Sequence, residues 1–285
     1  MEKMNREGWP ISFEQLLTAT KEYVGCGNPN ASILIIASEP AIDLKEEPKT
    51  EREKREKERH RWEIIENNEK WHKWLNEGVA ETIVHDGVID DISKFSPRFP
   101  YKGQKYSVRS EVKKKDDVLY TRSVSGTSRT WYNYQKLMDK VRGLKRSKED
   151  LLDFHDVCFT SELSTICAKK SNEVDEEERK DSISRRAGKS NAFFFSDFFQ
   201  AFPIVIVASK NYISRYRGVF SVEDLFGLPA DSKRLHGGFY TYSKQGDSPK
   251  LLICCRHFAS HLSDSYIDEI ASAIREFKNK NNIQV

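Results

Sequence analysis

Four short apolar runs stand out along an otherwise polar chain. Each is nearly free of charge and rich in β-branched residues or cysteine. Continuous runs of this kind are typical of strands that are covered on both faces, as in a parallel sheet. The four predicted strands are SILIIAS at 32–38, DVCFTS at 156–161, FPIVIVAS at 202–209 and LLICCR at 251–256.

Helical patterns occur before and between these predicted strands and after the last one. They cover residues 13–24, 131–141, 190–199 and 266–277, and the last pattern places Ile267, Ile270, Ala271 and Ile274 on one helical face. Strands that alternate with helices predict a doubly wound α/β fold. We therefore expect three α/β/α layers around a central, mainly parallel, four-stranded sheet.

The carboxyl ends of the predicted strands are the expected place for a functional site, because sheets of this kind bind ligands there. Polar or ionisable side chains would gather at that edge. The four ends read Glu39-Pro40, Ser161-Glu162, Ser209-Lys210 and His257-Phe258.

Residues 42–129 interrupt the alternation and are an expected helical and basic insertion. Residues 44–74 alternate in charge sign, which predicts a solvated helix whose far end docks through tryptophans. Residues 98–129 hold nine basic and three acidic side chains, a local balance of +6, interleaved with aromatic residues. Such a segment suits a phosphate backbone and stacked bases, which makes Arg98, Arg109 and Arg129 candidate DNA contacts. A solvated loop and hairpin is the alternative.

Composition narrows the class of protein. A chain of 285 residues with 38% hydrophobic content fits one domain over 1–285 with the insertion 42–129, and residues 170–190 look like a flexible excursion. The net charge of +3 neither favours nor excludes nucleic acid, because local charge decides that. Five cysteines without a CxxC pair fit a reducing, cytoplasmic compartment. No signal peptide, membrane span, metal-ligand spacing or phosphate loop is visible, so we expect no cofactor.

Three segments at the predicted strand ends carry motifs. Residues 25–41, GCGNPNASILIIASEPA, place a glycine-rich turn before a strand that ends in Glu39 and a proline. Residues 156–165, DVCFTSELST, end their strand at Ser161. Residues 257–263, HFASHLS, follow the last strand and precede a helix. Their order and their places at strand ends are together more specific than any one of them.

In this order the segments resemble the motifs of the uracil-DNA glycosylase superfamily. The first is similar to the turn and strand that lead into GQDPY, GEAPG or GINPG. Glu39 stands in place of the acidic residue of GQDPY, and Ser38 stands where GEAPG has its acid. The flanking glycines of those motifs are Ala37 and Ala41 here. The resemblance covers residues 25–41, 130–165 and 193–277.

The other two segments extend this resemblance. HFASHLS is similar to the family's HPSPLS, with either His257 or His261 as the histidine. DVCFTSELST is similar to the strand that presents a base-reading asparagine, but Ser161 takes that place and Glu162 lies beside it. An amide both donates to and accepts from a uracil edge, whereas a serine offers one short hydroxyl. A larger or modified base is therefore expected.

The resemblance implies that Glu39 and His257 are the catalytic residues. Cleavage of an N-glycosidic bond leaves positive charge on the sugar, which a carboxylate stabilises, and negative charge on the departing base, which a donor stabilises. The base must first be flipped from the stack, and Leu262 is the candidate wedge. The remaining implied site residues are Ser38, Ser161 and Glu162 for the base, and Ser260, His261, Leu262, Ser263, Arg98, Arg109 and Arg129 for DNA.

The leading hypothesis is a monomeric, cytoplasmic DNA glycosylase that removes a modified base and leaves an abasic site. Some members of the superfamily resemble phage-defence enzymes that excise glucosylated hydroxymethylcytosine. The resemblance implies that base as one example for this chain, since it would require an enlarged pocket. Two alternatives stay open, a non-catalytic DNA-binding module on the same fold and a hydrolase of free nucleosides or nucleotides. Structural roles also stay open: capping or ion pairing for Glu39, structural hydrogen bonding for His257, and packing for Ser161 and Leu262.

Overall fold

The computed structural model describes the predicted sheet, its helices and parts of the insertion. The described residues are 8–40, 47, 54, 57–58, 61–77, 84–85, 88–89, 96–100, 103–108, 113–115, 118–120, 126–167, 174–189 and 192–285. The α-helices are α1 (Ile11–Ala19), α2 (Asn67–Glu77), α3 (Arg129–Arg142), α4 (Glu176–Ala187), α5 (Asp197–Gln200), α6 (Lys210–Arg215), α7 (Val222–Leu225) and α8 (Asp264–Lys280). The strands are β1 (Cys26–Gly27), β2 (Ile33–Ala37), β3 (Val84–His85), β4 (Val88–Ile89), β5 (Lys105–Val108), β6 (Lys113–Lys115), β7 (Val118–Tyr120), β8 (Gly126–Thr127), β9 (Cys158–Glu162), β10 (Ile204–Val207), β11 (Arg234–Leu235), β12 (Tyr240–Lys244) and β13 (Lys250–Cys254).

The main sheet is mixed and has seven strands, in the order β1-β9-β2-β10-β13-β12-β11. The four predicted strands form its centre, β9-β2-β10-β13, and pair with one another in parallel. The predicted total of four strands is wrong. β1 pairs antiparallel with β9 at one edge, and at the other edge β12 pairs antiparallel with β13 and β11 pairs antiparallel with β12. Edge strands need no continuous apolar run, and β1 and β11 are two residues long, so the sequence carried no signal for them.

Side chains of the central strands alternate between two cores, one on each face of the sheet. Ile33 and Ile35 of β2 join one core, whereas Leu34 and Ile36 join the other. Helices cover both cores, which is why these strands appear in the sequence as unbroken apolar runs. The α/β class is therefore confirmed, with layers of helices on the two faces of the sheet.

Helices α3 and α8 lie side by side on one face. Lys140 of α3 donates to Asp268 of α8 at 2.6 Å, and one turn earlier Lys136 pairs with Asp264. Because equal steps along the two helices keep the residues paired, α3 and α8 run parallel. Their N-terminal ends therefore lie at the same edge of the sheet, the edge where β13 ends and the chain continues into α8.

The insertion contributes to the core on the other face. Trp71 of α2 is fully buried against Phe13 of α1 and Phe159 of β9, with ring centroids 4.9 and 6.2 Å apart. Its indole N–H donates to the Gly25 carbonyl at 2.8 Å. Gly25 is required there, because its φ is +140° and a Cβ would lie 2.2 Å from the Thr160 carbonyl oxygen. The described part of the insertion is thus packed into the same core as the sheet.

Residues 176–187 form a helix where the sequence indicated a flexible excursion. The Asp175 carboxylate caps α4 by accepting from two backbone N–H groups of its first turn. Arg179 and Arg186, two helical turns apart, lie on the buried face of α4 with 2% and 0% of their surface exposed. The expectation was wrong because two of the buried positions are arginines, so the segment lacks the apolar stripe that marks an amphipathic helix.

Candidate functional site

The carboxyl ends of the four parallel strands meet at one edge of the sheet. β9, the parallel strand of this sheet that follows β2 along the chain, lies on one side of β2. β10, the next parallel strand, lies on the other side, so β2 and β10 flank the topological switch point. Doubly wound sheets bind ligands at this point. Ser38 and Ser209 follow these two strands, and their hydroxyl oxygens are 2.8 Å apart. Ser38 therefore lies at the switch point, beside a serine that was not among the predicted site residues.

Glu39 lies at the same edge in a buried ion pair. Its carboxylate oxygens accept from Nε and Nη2 of Arg179 at 2.9 and 3.4 Å. Only 7% of the Glu39 side chain and 2% of the Arg179 side chain are exposed. Burial, and then the neighbouring Glu39 carboxylate, raise the pKa of the Tyr212 hydroxyl. The two charge-assisted hydrogen bonds from Arg179 hold the Glu39 carboxylate in a fixed orientation.

Arg179 connects Glu39 to a second carboxylate at the start of α4. It donates to Glu176 at 3.1 Å, and Glu176 also accepts from the Tyr216 hydroxyl at 2.9 Å and from Arg215 at 2.8 Å. Through this network the N-terminal half of α4 is fixed to the end of β2.

The Ser161 hydroxyl is engaged in hydrogen bonds within the fold. Its hydroxyl donates to the Val24 carbonyl at 2.8 Å and accepts from Nη2 of Arg186 at 3.0 Å, and the residue is 1% exposed. Arg186 also donates from Nε to the Glu162 carbonyl at 2.8 Å and stacks over the Phe193 ring at 3.9 Å. These contacts give Ser161 a structural role. Base binding by Ser161 stays a prediction, and its buried, hydrogen-bonded placement does not favour it.

Glu162 ends β9 with a partly buried carboxyl group. Its Oε2 atom has no hydrogen-bond partner among the residues that the structure describes. In the register of the sheet Glu162 lies beside Ala37, two residues before Glu39. Burial raises the pKa of Glu162 to about 8, an effect that the Arg186 guanidinium opposes and the Glu63 and Glu39 carboxylates reinforce. This carboxyl is therefore mostly protonated at neutral pH.

His257 begins a turn three residues after the end of β13, the last of the four parallel strands. Its Nδ1 atom accepts from the Ala259 backbone N–H at 3.1 Å, and its carbonyl accepts from the Ser260 N–H at 3.0 Å. Burial lowers the pKa of His257, which favours the neutral imidazole. Because Nδ1 is an acceptor, the neutral ring carries its proton on Nε2, which is then a hydrogen-bond donor.

The segment after His257 is anchored to the start of α3. The Asn133 amide donates to the Phe258 carbonyl at 2.7 Å. Arg129, the first residue of α3, contacts Nδ1 of His261 at 2.5 Å, and His261 is exposed. The structure therefore brings together two residues that the sequence proposed as DNA contacts from positions more than a hundred residues apart.

The three remaining residues of this segment differ in their surroundings. Ser260 is exposed, whereas Leu262 is partly buried and packs against the core beneath α3 and α8. Ser263 is the N-cap of α8, and its hydroxyl accepts from the Tyr266 backbone N–H at 3.2 Å. Ser263 thus has a structural role as a helix cap, and the buried part of the Leu262 side chain has a packing role.

Arg98 is not brought to this edge. Its guanidinium donates to the His155 carbonyl at 2.6 Å and contacts Asp156 at 3.4 Å, and both partners come just before the start of β9. The amino end of a parallel strand lies at the opposite edge from its carboxyl end, so Arg98 and Arg129 are at different edges. Arg109 lies outside the described residues.

Sequence reasoning missed Arg179 and Arg186, which contact the ends of two neighbouring strands. Arg179 binds the Glu39 carboxylate, and Arg186 binds the Glu162 carbonyl. The available signal was their spacing, since residues seven apart share one face of a helix. That signal was obscured because the segment is rich in charge of both signs, a pattern that usually indicates a solvated surface.

A cavity among the described residues lies beside α4, and Phe193, over whose ring Arg186 stacks, is part of its lining. It has a volume of about 390 Å³ and is also lined by residues of α1, by the chain that follows α1 and by Arg185 of α4. No predicted site residue lines it. We therefore place the candidate site at the carboxyl edge on the chemistry of its side chains.

The described residues contain no group of three or more His, Cys, Asp or Glu side chains that could hold a metal ion. Within the same residues, no helix is both long and apolar enough to cross a membrane. No family model matches the chain, and no curated protein matches it. The function is therefore argued from the residues at the carboxyl edge.

Proposed function

We propose that the protein is a DNA glycosylase that hydrolyses the N-glycosidic bond of a flipped-out, modified base. The observation that carries this proposal is the presence of a buried carboxylate, Glu39, and a neutral donor histidine, His257, at the carboxyl edge of one sheet. Cleavage of an N-glycosidic bond uses one group of each kind, the first for the sugar and the second for the base.

In this proposal Glu39 acts on the sugar. As the bond to the base lengthens, positive charge develops on the sugar ring, and a carboxylate beside the ring stabilises it or activates the attacking water. The contact with Arg179 fixes the direction of the carboxylate before the reaction begins. A group that is already oriented needs little rearrangement when the charge develops, which is the main source of electrostatic catalysis.

His257 acts on the departing base. Its Nδ1 atom is engaged by the Ala259 backbone N–H, so the ring presents Nε2–H as its donor. A donor aimed at the atom where negative charge develops stabilises the leaving base in the transition state. A neutral imidazole donates without adding a positive charge to the site. Burial disfavours such a charge at this position, because it lowers the pKa of His257.

The proposed contact with DNA consists of Arg129 at the start of α3 and of the exposed Ser260 and His261 in the segment before α8. Arginine contacts with phosphates position a duplex without reading its sequence. Leu262 is the proposed wedge that fills the gap left by the flipped base. The Ser161 hydroxyl is already engaged, which supports a base other than plain uracil, and glucosylated hydroxymethylcytosine is the first to test.

Cleavage of defined oligonucleotides tests the proposal. Purified protein is incubated with DNA that carries uracil, hypoxanthine or glucosylated hydroxymethylcytosine, and with unmodified DNA, and abasic sites are then cleaved with alkali. We expect breaks at a modified base and a loss of at least about 100-fold in rate for Glu39→Gln. Glu176→Gln is the matched control, because it removes a carboxylate from the same arginine network outside the strand end, and it should keep most of the activity. Breaks that are unaffected by Glu39→Gln would contradict the proposal.

A second candidate function is a non-catalytic DNA-binding module. The observation in its favour is that both carboxylate oxygens of Glu39 are used by Arg179 inside the fold. This candidate predicts salt-sensitive binding that weakens in Arg129→Gln, because each phosphate contact releases counterions. It also predicts no abasic sites on any oligonucleotide and unchanged DNA affinity in Glu39→Gln.

A further inference from the structure

The end of β9 holds a carboxyl group that the proposed mechanism does not use. Glu162 is only partly buried as a residue, yet its Oε2 atom is shielded and has no hydrogen-bond partner among the described residues. A shielded polar atom without a partner is unfavourable and uncommon in folded proteins. A bound ligand that supplies the missing partner explains why such an atom persists at the ligand-binding edge of a sheet.

The surroundings of Glu162 lead toward the rest of the candidate site. Because side chains alternate along a strand, Glu162 is on the same face of β9 as Cys158, and Cys158 belongs to the core beneath α3 and α8. Burial, and after it the nearby Glu162 carboxyl group, raise the pKa of Tyr134 of α3. The Tyr134 ring packs against Phe258 with ring centroids 5.1 Å apart. The titratable groups that face Glu162 from the surrounding elements are Arg186, Glu39, Glu63, Tyr23, Tyr134, Cys26 and Cys167.

We propose that Glu162 reads the edge of the bound base, donating with one carboxyl oxygen and accepting with the other; this inference rests on the proposed function. A protonated carboxyl group offers one O–H donor beside one carbonyl acceptor. A flipped pyrimidine presents an adjacent donor and acceptor at N3 and at its 4-substituent, and enzymes read flipped bases by that edge. Ser161 lacks this capacity, because its hydroxyl is engaged by Val24 and Arg186.

The protonation state of Glu162 then controls recognition. Burial raises its pKa to about 8 against the opposing effect of Arg186, whose side chain donates to the backbone of Glu162 and has no bond to its carboxyl oxygens. Below this pH the carboxyl group donates and accepts. Above it the carboxylate accepts only, so the acceptor atom of the base edge loses its donor. Recognition of the base is therefore expected to weaken as the pH rises through about 8.

Equilibrium binding of the full chain to uncleavable DNA tests this inference separately from hydrolysis. The probe is a fluorescent duplex with one 2′-fluoro nucleotide carrying uracil, cytosine or glucosylated hydroxymethylcytosine, since the fluorine opposes positive charge on the sugar. A duplex with a tetrahydrofuran abasic analogue is the control DNA. The ratio of the two dissociation constants isolates the contribution of the base. It is measured from pH 6 to pH 9 for wild type, Glu162→Gln, Glu162→Ala and the exposed control Glu276→Gln.

For one of these bases, wild type and Glu276→Gln should bind the base-containing duplex about ten-fold or more tighter than the abasic duplex at pH 6, which is the effect of two hydrogen bonds. This preference should disappear by pH 9. Glu162→Gln should keep the preference at every pH, because an amide also donates and accepts but does not titrate. Glu162→Ala should lose it throughout. A preference that survives in Glu162→Ala, a preference that is flat with pH in wild type, or no preference for any base overturns the inference. If the expected binding pattern appears but no abasic products form, recognition of the base by Glu162 is supported and the proposed hydrolysis is overturned. If abasic products form without this binding pattern, hydrolysis is supported and the role of Glu162 is overturned.

Discussion

Two glutamates at neighbouring strand ends have opposite surroundings. Glu39 makes two contacts with the Arg179 guanidinium, whereas the carboxyl group of Glu162 keeps one oxygen without a partner. The pKa of Glu162 rises to about 8 because burial outweighs the nearby Arg186. Sites that use two carboxyl groups in different roles commonly separate them in this way, by environment and not by residue type.

The raised pKa of Glu162 predicts a pH-dependent stability that can be measured without any substrate. Its value is about 8 in the folded protein against 4.5 as the ordinary value, so the folded state binds the extra proton between these two pH values. The contribution of Glu162 to stability is therefore complete below about pH 4.5 and is lost as the pH rises through about 8. Between pH 5 and pH 8 this contribution falls with a slope of at most about 1.4 kcal/mol per pH unit, and urea unfolding measures it as the difference between wild type and Glu162→Gln.

Glu162→Gln separates this effect from the rest of the protein. The amide is neutral at every pH, so the decrease in stability between pH 5 and pH 8 should be smaller in the variant than in wild type. The exposed Glu276→Gln should follow the wild-type curve. Identical slopes in wild type and Glu162→Gln contradict a protonated Glu162 in the folded state.

At the scale of elements, the segment 257–263 combines a strand end, a turn and a helix cap. Ser263 was predicted to contact DNA because of its motif, but it is also the N-cap that satisfies the Tyr266 backbone N–H. Ser260, in the same motif, is exposed and lies outside the cap. The same residue type therefore has a different importance for folding at two positions three residues apart.

Alanine substitutions at these two serines should differ in stability. Ser263→Ala removes the cap of α8 and should lower the free energy of unfolding by about 1 kcal/mol. Ser260→Ala is the matched control and should change it by less than about 0.5 kcal/mol. Thermal or urea unfolding of the two variants measures the difference, and equal stabilities would be evidence against the cap.

At the scale of the whole molecule, the described helix of the insertion, α2, packs into the same core as the sheet. Trp71 is buried among aromatic residues of α1 and β9, and its N–H bonds the glycine turn before β2. Asn67 of the same helix bonds the backbone of that turn as well, through Val24 at 3.1 Å. The turn that leads to Glu39 is therefore held by residues of the insertion.

Truncation of Trp71 tests this dependence. Trp71→Ala should lower the free energy of unfolding by about 3–5 kcal/mol, because it removes a large buried side chain and leaves a cavity. Ile65→Ala in the same insertion is the control, since Ile65 is 53% exposed and should have little effect. A stability of Trp71→Ala close to wild type contradicts an insertion that is part of the core.

The sequence by itself determined the four central strands, their parallel direction and the main helices on the α3 and α8 face. It did so because burial on both faces, or on one stripe, leaves a local pattern along the chain. The placement of Glu39, Glu162 and His257 at strand ends followed from the same patterns. Their position within three residues of each run's end required no knowledge of distant contacts.

Only the tertiary structure decided what each of these side chains contacts. Arg179 meets Glu39 across 140 positions of sequence, and Arg186 meets Ser161 across 25, from a helix whose charges resembled those of a solvated segment. Two-residue edge strands and the docking of Trp71 likewise depend on partners far along the chain. A local pattern reports whether a residue is buried, whereas its hydrogen-bond and ionic partners are set by the packing of the whole fold.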